Sequence, residues 1–214
     1  MMKIYGIRVS LFSTNCYLVK NEETGEGFLI DPGDYAEKII DVIKDKDVKL
    51  TAIYLTHGHL DHMMAAERIR EEFAVPVYCH EAELAVLEDP AQNLTSRFMR
   101  RGYVLKDAIG LKDGAEFTSA GFKIRLLHTP GHTPGGCCYY LYEEGYLFSG
   151  DTLFFRSIGN TEFPGGSMGT LARSIREKLY TLPEETRVYA GHGESTDIGS
   201  EKWENPFVPY LQLQ

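Results

Sequence analysis

Thr56-His57-Gly58-His59-Leu60-Asp61-His62 decides the reading of this chain. Four strong metal ligands fall within six residues, directly after the apolar run Ala52-Ile53-Tyr54-Leu55. Residues two apart on extended backbone share a face, so His57 and His59 aim at one point as the chain leaves a strand. Asp61 and His62 fall where a helix over 63–73 is expected to begin, and point from its first turn toward a neighbouring point. Two ligand pairs aimed at adjacent points suggest two metals rather than one. Imidazole together with carboxylate suits zinc, iron or manganese. A lone histidine in such a turn is ordinarily just a solvated side chain; four ligands at this spacing are not.

Three further ligand-type residues stand in the same setting, each after an apolar strand and beside glycine. Leu126-Leu127-His128-Thr129-Pro130-Gly131-His132 delivers His132. Tyr146-Leu147-Phe148-Ser149-Gly150-Asp151 delivers Asp151, and Val188-Tyr189-Ala190-Gly191-His192-Gly193 delivers His192. One Gly-Asp or Gly-His is weak by itself. With the first run, the set reaches seven nitrogen or oxygen ligands, which suits two metals with three terminal ligands each and one bridging carboxylate. Four strand ends would then converge on one rim, where loops commonly assemble a site. His128 reads as a structural neighbour and His80 as a helix-entry residue.

The 214 residues fit one sizeable domain over 1–214. An apolar content of 43% and a charged content of 25% are those of an ordinary soluble globular protein. A net charge of −9 argues against a nucleic-acid partner, whose footprint is a basic patch. The start, Met1-Met2-Lys3-Ile4-Tyr5-Gly6, has no apolar signal region, and no run approaches the length of a membrane span. Cys16, Cys79, Cys137 and Cys138 lack the spacing of a disulfide framework, so reduced thiols in a cytoplasmic protein are expected. Adjacent Cys137 and Cys138 should face opposite sides of a strand. A monomer or small homo-oligomer is expected, with no membrane partner.

Strands are expected over 3–9, 16–19, 27–30, 52–55 and 76–79, and again over 115–118, 122–128, 137–142, 146–148 and 187–190. Asp34 can cap a helix over 35–46, where Ile39, Ile40 and Ile43 recur at helical spacing. Further helices are expected over 81–87 and 169–179, and a short polar tail after the last strand. The stretch 89–110, with Arg97, Arg100 and Arg101, is the least regular and is either a binding loop or a surface excursion. Strands and helices run together in both halves, which suits a layered α/β arrangement.

These residues resemble the metallo-β-lactamase superfamily, and within it the short, single-domain glyoxalase II-like hydrolases. The likeness rests on His57-x-His59-x-Asp61-His62, His132, Asp151 and His192 in that order. It extends to Thr14-Asn15-Cys16-Tyr17, Asp31-Pro32-Gly33, His128-Thr129-Pro130-Gly131-His132-Thr133-Pro134-Gly135, Ser157-Ile158-Gly159-Asn160-Thr161 and Asn205-Pro206-Phe207. The resemblance implies a four-layer αββα sandwich with a binuclear site at one edge. It implies that His57, His59 and His132 hold one ion, that Asp61, His62 and His192 hold the other, and that Asp151 bridges. It also implies two divalent ions, zinc first, with iron or manganese as alternatives. Asp151, where true metallo-β-lactamases commonly carry cysteine, disfavours antibiotic hydrolysis. Only 22 residues follow His192, so the C-terminal helical domain that helps longer glyoxalase II enzymes hold glutathione is not expected. Met64 and Asn160 depart from the glycine and arginine common at those places.

The expected activity is hydrolysis of a small thioester of the S-2-hydroxyacylglutathione kind. A metal-bridging hydroxide would be the nucleophile, and Asp61 would orient or accept its proton. Phe155, Arg156, Ser157 and Asn160 are candidates to line the substrate cleft. The alternatives are a mononuclear-iron persulfide dioxygenase-like enzyme and a lactone or phosphoester hydrolase of the same fold. A nuclease or a non-catalytic metal-binding module fits less well.

Overall fold

Alternation with a period of two places the core. In the strand Thr14–Asn21 (β2), Cys16 and Leu18 pack into one apolar cluster while Tyr17 and Val19 pack into a second. In Cys137–Leu141 (β9), Cys137, Tyr139 and Leu141 join that second cluster, and Cys138 and Tyr140 join a third. Strands buried on both faces belong to the inner layers of a stack. The computed structural model, which describes residues 1–210, shows such a stack. Two six-stranded sheets face each other, and helices cover both outer faces.

The first sheet runs Met2–Val9 (β1), β2, Glu26–Ile30 (β3), Lys49–Tyr54 (β4), Val77–His80 (β5) and Ile109–Leu111 (β6), in that spatial order. Its strands are antiparallel up to β3 and parallel from there on. The second sheet combines Glu116–Ser119 (β7), Phe122–His128 (β8), β9, Tyr146–Gly150 (β10), Arg187–Ala190 (β13) and Thr196–Asp197 (β14). A small hairpin, Leu153–Phe154 (β11) with Ser157–Ile158 (β12), follows β10. Ala36–Asp45 (α1) and Ala66–Phe73 (α3) bury Ile39, Ile40, Ile43 and Ile69 on the outside of the first sheet. Met168–Ser174 (α6), with a following π turn over Ile175–Leu179, and Ile198–Glu204 (α7) do the same for the second sheet.

Topology puts the ligand-bearing loops at one edge. β10 and β13 are parallel, so the chain leaves both at the same end. β9 is antiparallel to β10 and to β8, so the β8–β9 turn lies at that end too. The exit of β4 joins them from the other sheet, where the Cys137 amide donates to the Thr56 carbonyl at 2.9 Å. The start of β2 closes the rim. The Asn15 amide donates to Gly191 O at 2.7 Å, and its side chain to Ala190 O and Gly193 O at 3.0 Å each.

The structure corrects the expected elements in four places. The helix over 63–73 is broken into Leu60–Met63 (α2) and α3, because the Pro32 and Gly33 carbonyls accept from the Ala65 and Met64 amides. Asp34 does not cap α1; its carboxylate accepts from the adjacent Tyr35 amide, and left-handed Tyr35 opens the helix without a side-chain cap. The segment 81–87 starts as a 3₁₀ turn, Glu81–Glu83, before Leu84–Leu87 (α4). The polar tail contains β14 and α7, whose Asp197 caps the Ser200 amide at 2.7 Å. His80 is the helix-entry residue expected, its Nδ1 accepting from the Ala82 amide at 3.2 Å. His128 stacks on it with ring centroids 3.7 Å apart. All four cysteines are free and buried, and Cys137 and Cys138 face opposite sides of β9.

Candidate metal centre

All seven ligand-type residues meet at this edge. His57 Nε2 and His59 Nδ1 lie 3.2 and 2.9 Å from His132 Nε2. His62 Nε2 and His192 Nε2 lie 3.4 Å apart, and Asp61 Oδ2 lies 3.6 and 3.3 Å from them. Asp151 spans the two groups: Oδ2 is 3.5 Å from both His132 Nε2 and His192 Nε2, and Oδ1 is 3.4 Å from His62 Nε2. Two donors bound at about 2.0–2.1 Å to one tetrahedral ion stand about 3.3–3.4 Å apart, so both groups are spaced as donors around a cation.

The donor chemistry agrees with the spacing. His132 Nδ1 donates to Asn160 O at 2.6 Å and His192 Nδ1 to Phe12 O at 3.2 Å, which turns their Nε2 lone pairs inward. His57 Nδ1 meets the Thr56 hydroxyl at 3.1 Å, and that hydroxyl donates on to Asp31 Oδ2 at 2.7 Å. His62 Nδ1 pairs with the same Asp31 oxygen at 2.9 Å. Asp151 Oδ1 is buried with no hydrogen-bond partner among the described residues. A Cβ on Gly191 would come within 2.3 Å of that oxygen and 2.8 Å of His62 Cε1, so glycine keeps open the space into which both point. The residues present fit divalent cations held by imidazole and carboxylate.

The two ends differ electrostatically. Burial and the neighbouring imidazoles hold His57 well below its ordinary pKa, and the same causes bring His59 down to about 3. Those rings are neutral and offer lone pairs. Burial opposes charge on His62 as well, but Asp61, Asp151 and Asp31 outweigh it and hold that imidazole well above its ordinary range. Burial likewise opposes charge on Asp151, yet His62 and the other imidazoles bring it down to about 2.

Two cavities flank the centre. One, of about 140 Å³, is roofed by Phe12, Leu60, Leu94, Phe98 and Phe163. The other, of about 510 Å³, runs past His132 and Asp151 along Phe154, Ser157, Asn160, Glu162 and Phe207. Ser157 and Asn160 border the larger cavity, and Phe155 and Arg156 border neither cavity. They form the turn of the β11–β12 hairpin, whereas Phe154, the last residue of β11, lines the larger cavity. Arg156 donates to Ser200 O at 2.9 Å and pairs with Glu204, pinning α7. The 89–110 stretch is a wall of the smaller cavity through Leu94 and Phe98, the latter on Thr95–Phe98 (α5). Arg97 lies over the Phe98 and Phe163 rings at 5.6 and 5.8 Å, while Arg100 and Arg101 are exposed and border neither cavity.

Sequence reasoning missed Asp31, Phe12 and Thr14 as parts of the centre. Asp31-Pro32-Gly33 and Thr14-Asn15 stood out as motifs, but their partners lie across the fold. Thr14 donates to Asp61 Oδ2 at 2.7 Å over 47 residues of sequence.

Two packed sheets with outer helices and a His/Asp cluster at one edge define a metallohydrolase. The model of the metallo-β-lactamase superfamily matches residues 9–192, and the chain belongs to that superfamily. It is 38% identical to a hydroxyacylglutathione hydrolase, GloC, of Haemophilus influenzae, over 97% of this chain and 98% of that one. Among solved structures it superposes on BLEG-1, described as a B3 metallo-β-lactamase, with a TM-score of 0.90 and 41% identity, covering 97% of this chain and 99% of that one. It superposes on TTHA1623, solved in a di-iron-bound form, with a TM-score of 0.85 and 33% identity over 95% and 99%. No helix among the described residues is long and apolar enough to cross a membrane.

Proposed function

We propose that the chain hydrolyses small thioesters of the S-2-hydroxyacylglutathione kind, using two divalent ions, zinc before iron or manganese. The observation that carries this reading is Asp151, one carboxylate whose two oxygens face three imidazoles drawn from both donor groups. His57, His59 and His132 would hold one ion, Asp61, His62 and His192 the other, and Asp151 would lie between them. When bound, such a pair lowers the pKa of water toward neutrality and polarises a carbonyl.

The protein's own groups supply the rest. The Thr14 hydroxyl fixes the Asp61 carboxylate through Oδ2, and that carboxylate would orient the attacking water or accept its proton. The aromatic roof of the smaller cavity receives the acyl group and excludes bulk water. The larger cavity, bordered by Asn160, receives the departing thiol. The relative named hydroxyacylglutathione hydrolase supports the thioester class. The likeness to BLEG-1 carries a second reading, β-lactam hydrolysis.

The test is a panel of thioesters, lactones, phosphoesters and a chromogenic cephalosporin, run on protein of measured metal content. Preferred turnover of thioesters is expected, needing no oxygen. Asp61→Ala should lower kcat by about 10²–10⁴, and His132→Ala should lose metal while keeping the wild-type circular dichroism. Full activity of metal-free protein overturns the proposal, and faster turnover of the cephalosporin than of any thioester replaces it with the second reading.

A further inference from the structure

Glu83 is a fully buried acid that the chemistry above does not use. It lies at the end of the 3₁₀ turn after β5, and no cation pairs with it among the described residues. Its carboxylate faces three donors. Oε1 accepts from the Gly58 amide at 2.7 Å. Oε2 accepts from the Thr133 hydroxyl at 2.9 Å and the Gly135 amide at 2.8 Å. Gly58 stands between His57 and His59, and Thr133 follows His132. One side chain therefore joins the ligand turn of the first sheet to the ligand turn of the second.

The surroundings are shaped to this contact. A Cβ on Gly135 would lie 2.3 Å from the Glu83 amide nitrogen, and one on Gly58 would meet Leu87 at 3.0 Å and Glu83 Oε1 at 3.2 Å. Both turns approach the acid as closely as glycine permits. An acid this deep is costly to ionise: burial pushes its carboxyl up to about 7 against the three donors that favour the anion.

We propose that Glu83 is a positioning residue for the three-histidine end of the centre, setting His57 and His59 against His132 and leaving the Asp61–His62–His192 end to other contacts. This rests on the reading of the site as a two-ion centre. Partners that orient ligands in this way are worth about 10–100-fold in metal affinity. The other end has braces of its own, Phe12 O on His192 and Thr14 on Asp61, while Asp31 reaches both ends, directly through His62 and by way of Thr56 to His57. Loss of Glu83 should therefore weaken one ion and not both.

The experiment titrates metal-free full-length protein with cobalt(II), following the visible d–d absorption and the ion count per chain. The wild type is expected to take up two ions. Glu83→Ala should keep one at wild-type affinity and bind the other about 10–100-fold more weakly, with a changed d–d spectrum. Glu83→Gln keeps the shape but turns an N–H₂ toward donors, and should fall between the two. Thr133→Ala removes one of the three donors without touching the acid, and should shift the same ion in the same direction by less. If Glu83→Ala does not fold, the other two variants read the same quantity. Two ions bound as tightly as in wild type by every folded variant overturns the proposal. Equal weakening of both ions overturns it as well. A wild-type chain that binds no cobalt overturns instead the two-ion reading on which it stands.

Discussion

At the scale of single residues, the metal centre depends as much on what is missing from a side chain as on what is present. Gly191 is the clearest case. A methyl group there would occupy space 2.3 Å from Asp151 Oδ1 and 2.8 Å from the His62 ring. Gly191→Ala should therefore displace the carboxylate that spans the two donor groups. Overpacking of this kind costs about 1–3 kcal/mol, measurable as a lower Tm of the metal-free protein. The effect on metal should be larger than on folding: at least one ion per chain lost or weakened, read by elemental analysis after dialysis. A variant that retains two tightly held ions would show that Asp151 does not span them. The cluster of seven ligand-type residues was legible because its signal is local, histidine and aspartate at strand-end spacings beside glycine. The roles of Asp31 and Glu83 were not, because their partners lie far along the chain. Asp31 accepts from residues 25 and 31 positions away, and Glu83 from residues 25, 50 and 52 positions away. Phe155 and Arg156 fall in the turn of a hairpin, and a two-residue turn has no periodicity by which a sequence window could place them.

At the scale of elements, periodicity located most strands and helices, and tertiary contacts set their ends. The helix after the ligand run breaks because Pro32 and Gly33 carbonyls take its amides. Gly33 sits where a Cβ would fall 1.5 Å from Asp61 O, a clash that no sequence window contains. α7 was missed because the segment after His192 reads as polar, although Asp197 caps it and Glu201 is buried beneath it. The entry to the 3₁₀ turn before α4 offers a pH test away from the metal. His80 Nδ1 must be unprotonated to accept from the Ala82 amide. Burial, and then stacked His128, bring His80 down to about 4. The unfolded chain, with a histidine pKa near about 6.5, binds more protons than the native state between pH about 4 and 6.5. Stability due to this group is thus complete above about 6.5 and declines as the pH falls toward about 4, by roughly 1–2 kcal/mol after allowance for partial solvent screening. Asparagine can cap without titrating. His80→Asn is expected to match wild type at pH 7.5 and to unfold at higher urea than wild type at pH 4.5, both as metal-free protein. Parallel pH profiles for the two proteins would show that the cap does not titrate.

At the scale of the whole molecule, the centre closes an edge at which two sheets meet. His57, His59, Asp61 and His62 leave the first sheet, whereas His132, Asp151 and His192 leave the second. Protein contacts across this edge exist, among them Cys137 to Thr56 O and Asn15 to Gly191 O, and His62 pairs with Asp31, but His57, His59 and His132 turn nitrogens toward one another at 2.9–3.2 Å. Imidazole nitrogens crowded together in this way add more to the stability of the fold when a cation is bound between them. Binding to the native state alone adds RT ln(1 + [L]/Kd), about 4 kcal/mol for each ion at a thousandfold excess over Kd. For a chain of this size, 1 kcal/mol corresponds to about 2–4 °C in Tm. Removing metal with a chelator should therefore lower Tm by about 10 °C or more. The loss should be graded by the same measure in His132→Ala, which draws its ligand from the second sheet, and in His57→Ala, which draws its ligand from the first. Hydrogen exchange should show where the stability goes. Amides of the four ligand loops and of the start of β2 should exchange faster in the chelated protein, while the buried middles of β2 and β9 keep their protection. A Tm unchanged by chelation, in protein shown beforehand to carry metal, would mean that the two sheets hold this edge together without the ions.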